Sequence, residues 1–234
     1  MNLSELYADL SYGELSNLSM AVEGTGTIQE EARPRIIRAA NDALLQLYGR
    51  FNLSEKDLLL ETYEHITNYH LISRFSESGG IESEEPYLYI KDHAGDPFLD
   101  DVIKVLAVCD SLGRDLPLND AEATESVFTP QYNILQVPRP LNGVSLGVMY
   151  QARHPKLEDG DDDQEISIPP VLEGALRAYI AYKIYGSINT QESMAMAQGH
   201  MAMYEAICTG AEEKDLVNTS ISQTNSKFEK RGFA

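Results

Sequence analysis

Apolar residues recur at helical spacing in three parts of this chain and alternate at strand spacing between them. Leu3, Leu6, Tyr7 and Leu10 share one helical side, followed by Leu15, Leu18 and Met20. Gly13 divides this stretch, so two short helices are expected. Thr27 and Glu30 have the spacing of a capping box, predicting one turn at 28–32 and a main helix from Pro34 to Tyr48. Ile36, Ala40, Ala43, Leu44 and Leu47 form its stripe, with Gly49 as its cap. After Phe51 the period changes: 58–71, 87–91, 102–109, 132–138 and 145–152 read as strands, the last two around an Asn142-Gly143 turn. Residues 121–128 are predicted to form a short helix and 76–86 a loop.

Helical spacing returns at Ile168-Pro169-Pro170, where proline is tolerated at a helix start. From Val171 to Tyr185 the apolar side is wide enough to pack on two sides. A further helix starts at Thr190, with Met194, Ala197, Met201, Tyr204 and Cys208 recurring to its end. From Leu216 the period fades. The expected fold is therefore α+β: an α-helical bundle core, an inserted antiparallel β-rich subdomain and an extended C-terminal tail. The expected units are 1–51, 52–157, 158–215 and 216–234. Residues 158–165 serve as an acidic linker, and the helices starting at Pro169 and Thr190 pack on the one starting at Pro34.

Charge sharpens the picture. The chain has 234 residues and a formal net charge of −19. Such a balance opposes a DNA-reading module, because phosphate attraction dominates nucleic-acid affinity. It reads either as a solvated acidic surface or as a wall that DNA passes without adsorbing. From Leu216 onward the sign reverses, with Lys227, Lys230 and Arg231 against Glu229, and Phe228 and Phe233 beside them. Aromatic residues and arginine are typical binding anchors.

Candidate chemistry adds little. Cys109 and Cys208 sit in apolar contexts and read as buried free thiols in a reducing compartment. The acidic run 158–165 has no complete calcium-loop spacing. His65, His70, His93, His154 and His200 form no zinc motif, and no nucleophile elbow, phosphate loop or dinucleotide glycine pattern occurs. The methionines of the last helix read as core, with an adaptable binding surface as the alternative. No catalytic, cofactor or metal residues are assigned. The chain has neither a leader-like start nor a run of about 18 apolar residues. A soluble protein made in the cytoplasm is expected.

Several stretches carry a resemblance. They include Ala39–Phe51, Asp115–Asp120, Phe128-Thr129-Pro130 with Leu135–Pro138, and Val148–Ala152 with His154-Pro155. Ile168-Pro169-Pro170 with Ala175–Tyr179 and the ending Lys227–Phe233 complete the set. In order and spacing over most of the chain they resemble the head-to-tail adaptor (connector) proteins of tailed bacteriophages, the short-tailed type. The resemblance implies a ring of twelve copies in the virion neck, without catalysis or membrane contact. Portal protein lies on one side, a tail or nozzle protein on the other, and double-stranded DNA passes through without specific binding. It further implies that Ile221, Lys227, Phe228, Lys230, Arg231 and Phe233 dock on the portal. A glycan-cleaving hydrolase and a helical protein-interaction domain are the alternatives.

Overall fold

The computed structural model describes residues 1–22, Thr25, 27–79 and 86–217. Helix α1 spans Leu3–Tyr12 and buries Leu3, Leu6, Tyr7 and Leu10, as their spacing requires. The Asn2 side chain accepts from the Glu5 amide at 2.8 Å while the Glu5 carboxylate accepts from the Asn2 amide at 2.9 Å. This reciprocal pair is a capping box, found where the sequence reading had none. The expected second helix is absent: Gly13 ends α1, and Leu15–Leu18 turn back so that Leu15 is buried. Thr27 does not cap a helix either. It lies in β2 (Thr27–Ile28), which pairs with β1 (Ala21–Val22).

Helix α2 spans Arg33–Arg50, with Pro34 in its first turn. Gly49 is thus inside the helix, and Phe51 caps it. The reason is tertiary. Buried Gln151 donates to the carbonyls of Tyr48 and Phe51, satisfying acceptors that a helix end leaves open.

The strands follow: β3 Glu55–Thr62, β4 Asn68–His70, β5 Ile90–Lys91, β6 Val102–Cys109, β7 Phe128–Gln131, β8 Ile134–Gln136 and β9 Val144–Ala152. All named pairings are antiparallel. One sheet has the order β5-β3-β9-β6, another β4-β8-β7. The Asn142-Gly143 turn was expected between two strands, and it stands between β8 and β9. Gly143 is in a left-handed conformation (φ 72°), but the strands it separates enter different sheets. The short helix expected over 121–128 is absent: residues 121–126 form bends and a turn, and β7 begins at Phe128. In β6 the register shifts twice against β9, so only Val102, Val105 and Val108 are buried.

Helix α3 spans Pro170–Gly186 and α4 spans Gln191–Glu213. The α-helical bundle core expected from the sequence is not what the chain builds. The described residues form a mixed α/β body of four helices and antiparallel sheets. The segment from β3 to β9 carries an apolar core of its own around Leu60, Tyr69, Leu135 and Val148. The helices do not close a bundle: α3 lies between α2 and α4, which do not pack along each other. Their apolar cluster is completed by non-helical Leu15, Ile28, Phe51, Leu157 and Ile166. The acidic stretch 158–165 is held down beside the first residues. The amides of Leu3 and Ser4 donate to the carbonyls of Gln164 and Asp162, and Arg33 pairs with Asp162 at 3.3 Å. Among the described residues no helix is long and apolar enough to cross a membrane.

His154 ties the end of β9 to the helical side. Its Nε2 accepts from the Ser167 amide at 3.1 Å, so Nδ1 carries the proton and donates to the Pro155 carbonyl. The ring packs edge-on to Tyr48, whose hydroxyl donates to the Ser167 carbonyl. Burial holds the imidazole below its ordinary value of 6.5, partly offset by the Pro155 hydrogen bond. Below pH 6.5 the unfolded chain takes up a proton that folded His154 resists. Stability due to this group is therefore complete above 6.5 and falls as pH drops toward the folded value. Urea midpoints of wild type and His154→Gln between pH 7.5 and 5 should converge on acidification. Parallel curves would show that His154 stays outside the linkage.

Candidate functional site

The six residues assigned to partner binding, Ile221, Lys227, Phe228, Lys230, Arg231 and Phe233, lie outside the described residues. What is described is the platform from which they follow. Helix α4 starts in a Thr190/Ser193 capping box, because the Thr190 hydroxyl accepts from the Ser193 amide at 3.1 Å. It buries one narrow side, Ser193, Ala197, Tyr204, Cys208 and Ala211, against the helix layer. Gly174 of α3 permits the close approach: a Cβ there would stand 3.3 Å from Cδ1 of Ile207.

At its far end α4 is clamped to α2 by one side chain. Arg50 donates through Nε and a terminal nitrogen to Glu212 at 2.7 and 3.1 Å, and through the other nitrogen to Glu205 at 2.7 Å. The two-point geometry fixes direction as well as distance. It raises the Arg50 pKa and holds Glu212 below the ordinary carboxylate range. Two residues beyond the helix, Asp215 adopts a left-handed conformation (φ 51°), and the Leu216 amide returns to the Ala211 carbonyl. This end lies over a cleft of about 440 Å³ between α2 and the sheet, bordered by Asn52, Lys104, Gln151 and Val217.

Beside the clamp, a second cleft of about 570 Å³ runs between α2 and α4 over α3. Its floor is aromatic. Tyr179 stands 5.6 Å from Tyr182 and 5.1 Å from Tyr204, centroid to centroid, with Leu45 and Met201 on the rims.

The methionines depart from their expected place. Met194, Met196 and Met203 are 54%, 43% and 46% exposed, and only Met201 is half-buried. Their spacing suits a core, but Met196 and Met203 lie on the side of α4 away from Ala197, Tyr204 and Cys208, and among the described residues that side stays exposed. Cys208 is fully buried and free, whereas Cys109 is free and only partly covered. His65 lies in the turn after β3 with its ring 4.6 Å from that of Tyr87, and His70 is exposed on β4. Among the described residues, no three His, Cys, Asp or Glu side chains stand together in a way that could hold a metal ion.

No protein-family model matches the chain, and no curated protein matches it.

Proposed function

We propose that this chain is a head-to-tail adaptor of a short-tailed bacteriophage. Twelve copies form a ring in the virion neck between the portal and a tail or nozzle protein. The observation that carries the reading is what precedes 216–234 in the chain. Lys214 and Asp215 separate this basic, aromatic-bearing stretch from a 23-residue helix whose end Arg50 fixes to α2. A binding segment projected from a fixed helix reaches its partner with less orientational freedom to lose. Its sign opposes that of the remaining chain, so it is repelled by no like charge on an acidic receptor. The acidic balance has a use in the same setting. A negative wall does not adsorb DNA passing through it.

The test is binding to purified portal rings of the same virus. The full chain is expected to bind, and deletion of 219–234 to abolish binding. Phe228→Ala or Phe233→Ala should each weaken it by about 30-fold, as for a central aromatic anchor. Equal binding by the deletion variant sinks the docking role.

A further inference from the structure

The turn at the end of the β3–β9 pair holds two groups that react with each other. Asn142-Gly143 is the one Asn-Gly pair in the chain, and both residues are exposed. Each is there for a structural reason. Gly143 has φ 72°, a conformation that costs little only where there is no side chain. The space around it is open, since a Cβ built there meets nothing within 4 Å, so the backbone angle and not crowding requires the glycine. The Asn142 side-chain carbonyl accepts from the Glu64 amide at 2.8 Å, tying the turn to the residues that follow β3. The result is a carboxamide next to a backbone nitrogen that no side chain of its own residue shields.

We infer that Asn142 is a site of spontaneous modification, for which the turn supplies nucleophile and electrophile and solvent supplies water. The Gly143 backbone nitrogen attacks Cγ of Asn142. The N–Cγ bond forms and the Cγ–Nδ2 bond breaks. Ammonia leaves, carrying the proton that the backbone nitrogen gives up, and a cyclic imide remains. Water then opens the ring in one of two ways. Breaking the new N–Cγ bond leaves an aspartate at position 142. Breaking the original peptide bond leaves an isoaspartate, whose main chain runs through the side-chain methylene. In either case one water is consumed, one ammonia is released and one carboxylate is gained. Nothing is oxidised or reduced.

The fold sets the rate. The Gly143 amide donates to the Thr62 carbonyl at 2.9 Å, so the attacking nitrogen is already engaged. Thr62 is buried at the last position of β3, opposite Val144. Its hydroxyl lies 2.6 Å from the Leu141 carbonyl and 3.0 Å from the Val144 carbonyl, and its single proton is shared between them. Thr62 therefore holds the chain on both sides of Asn142-Gly143 and acts as a positioning residue for the turn. Attack requires the Gly143 nitrogen to leave Thr62, so the reaction waits on a local opening. The two products fare differently when the turn closes again. Aspartate keeps an oxygen for the Glu64 amide. Isoaspartate adds one main-chain atom between Leu141 and Val144, and the two carbonyls no longer fit one hydroxyl. Nothing in this step depends on the adaptor reading.

Peptide mapping by mass spectrometry tests this on the full chain aged in mildly alkaline buffer. Carboxylate formation at position 142 should be about 30-fold slower in the native chain than in urea, a ratio set by opening of the turn. Thr62→Val keeps the side-chain shape and loses the hydroxyl, and should speed the native reaction about tenfold. Thr62→Ser keeps the hydroxyl and should react at the wild-type rate. Leu176→Ala weakens the helix layer far from the turn and should leave the native rate within about twofold, because the opening is local. Absence of product at position 142 in urea overturns the site. Equal rates in the native chain and in urea overturn the protection. Equal acceleration by Leu176→Ala and Thr62→Val, or by Thr62→Ser and Thr62→Val, overturns the role of the Thr62 hydroxyl.

Discussion

Asp101→Ala is expected to destabilise the fold by about 3 kcal/mol, the cost of removing one partner of a mostly buried ion pair. Asp101 is buried before β6 and serves three strands at once. Its carboxylate accepts from Lys56 of β3 at 2.6 Å and from the Tyr150 hydroxyl of β9 at 3.0 Å, and its carbonyl accepts from the Arg153 amide. Burial, and then the neighbouring Asp101 charge, push the Tyr150 phenol far above its ordinary range, so it remains a donor at every physiological pH. Alanine leaves that hydroxyl buried without an acceptor, at about 1–3 kcal/mol. It also leaves the Lys56 ammonium without its counter-charge. Lys56 is 38% exposed, and water recovers part of the second loss. Adding Tyr150→Phe and Lys56→Met to Asp101→Leu should recover most of the stability, since an apolar replacement of a whole buried polar group is far less costly than half of one. Urea unfolding of the single and triple variants checks this. A single variant within about 0.5 kcal/mol of wild type, the usual range for surface substitutions, would show that the cluster is incidental.

The second large effect belongs to α3. Leu176→Ala should cost about 3–4 kcal/mol, because Leu176 is fully buried at the centre of the helix layer. That corresponds to a fall of about 10 °C in melting temperature for a chain of this size. Leu45→Ala makes the informative contrast. It removes the same side-chain atoms from an exposed position on α2, and should change stability by less than about 0.5 kcal/mol. If Leu45→Ala matched Leu176→Ala in thermal melts, Leu45 would be part of the folded core and not an exposed side chain.

Exposure at Leu45 and at the α4 methionines marks where sequence reading reached its limit. Helical spacing identifies a stripe, but α4 has two: Ala197, Tyr204 and Cys208 on one side, Ala195, Gly199 and Ala202 on the other. Both are uncharged. Which one is buried depends on where α3 lies, and α3 presents Gly174 to Ile207. The end of α2 is a comparable case. Gly49 is a reasonable stop by propensity, yet Gln151, about a hundred residues away in sequence, supplies the hydrogen bonds that carry the helix past it. The assigned binding residues, Ile221 through Phe233, remain a reading of residue types in order, drawn from charge, aromatic content and resemblance.

Local chemistry alone determined the helix opened by Pro169-Pro170, the strand Val102–Cys109, the turn at Gly143 and the reversal of charge after Leu216. Each follows from backbone restriction, side-chain period or ionisation, which neighbours in sequence set by themselves. Tertiary structure decided the rest. Strands Phe128–Gln131 and Ile134–Gln136 went to a sheet with Asn68–His70 and not to the strand after Gly143, because hydrogen-bond partners distant in sequence were available there. The helices became a layer with α3 at its centre rather than a bundle, because apolar area on α3 was wide enough for two neighbours and the strands closed a core of their own. Among the described residues Leu45 of α2 and Met196 and Met203 of α4 stay exposed, and a pattern of apolar residues along one chain cannot tell such a side from one buried in the fold.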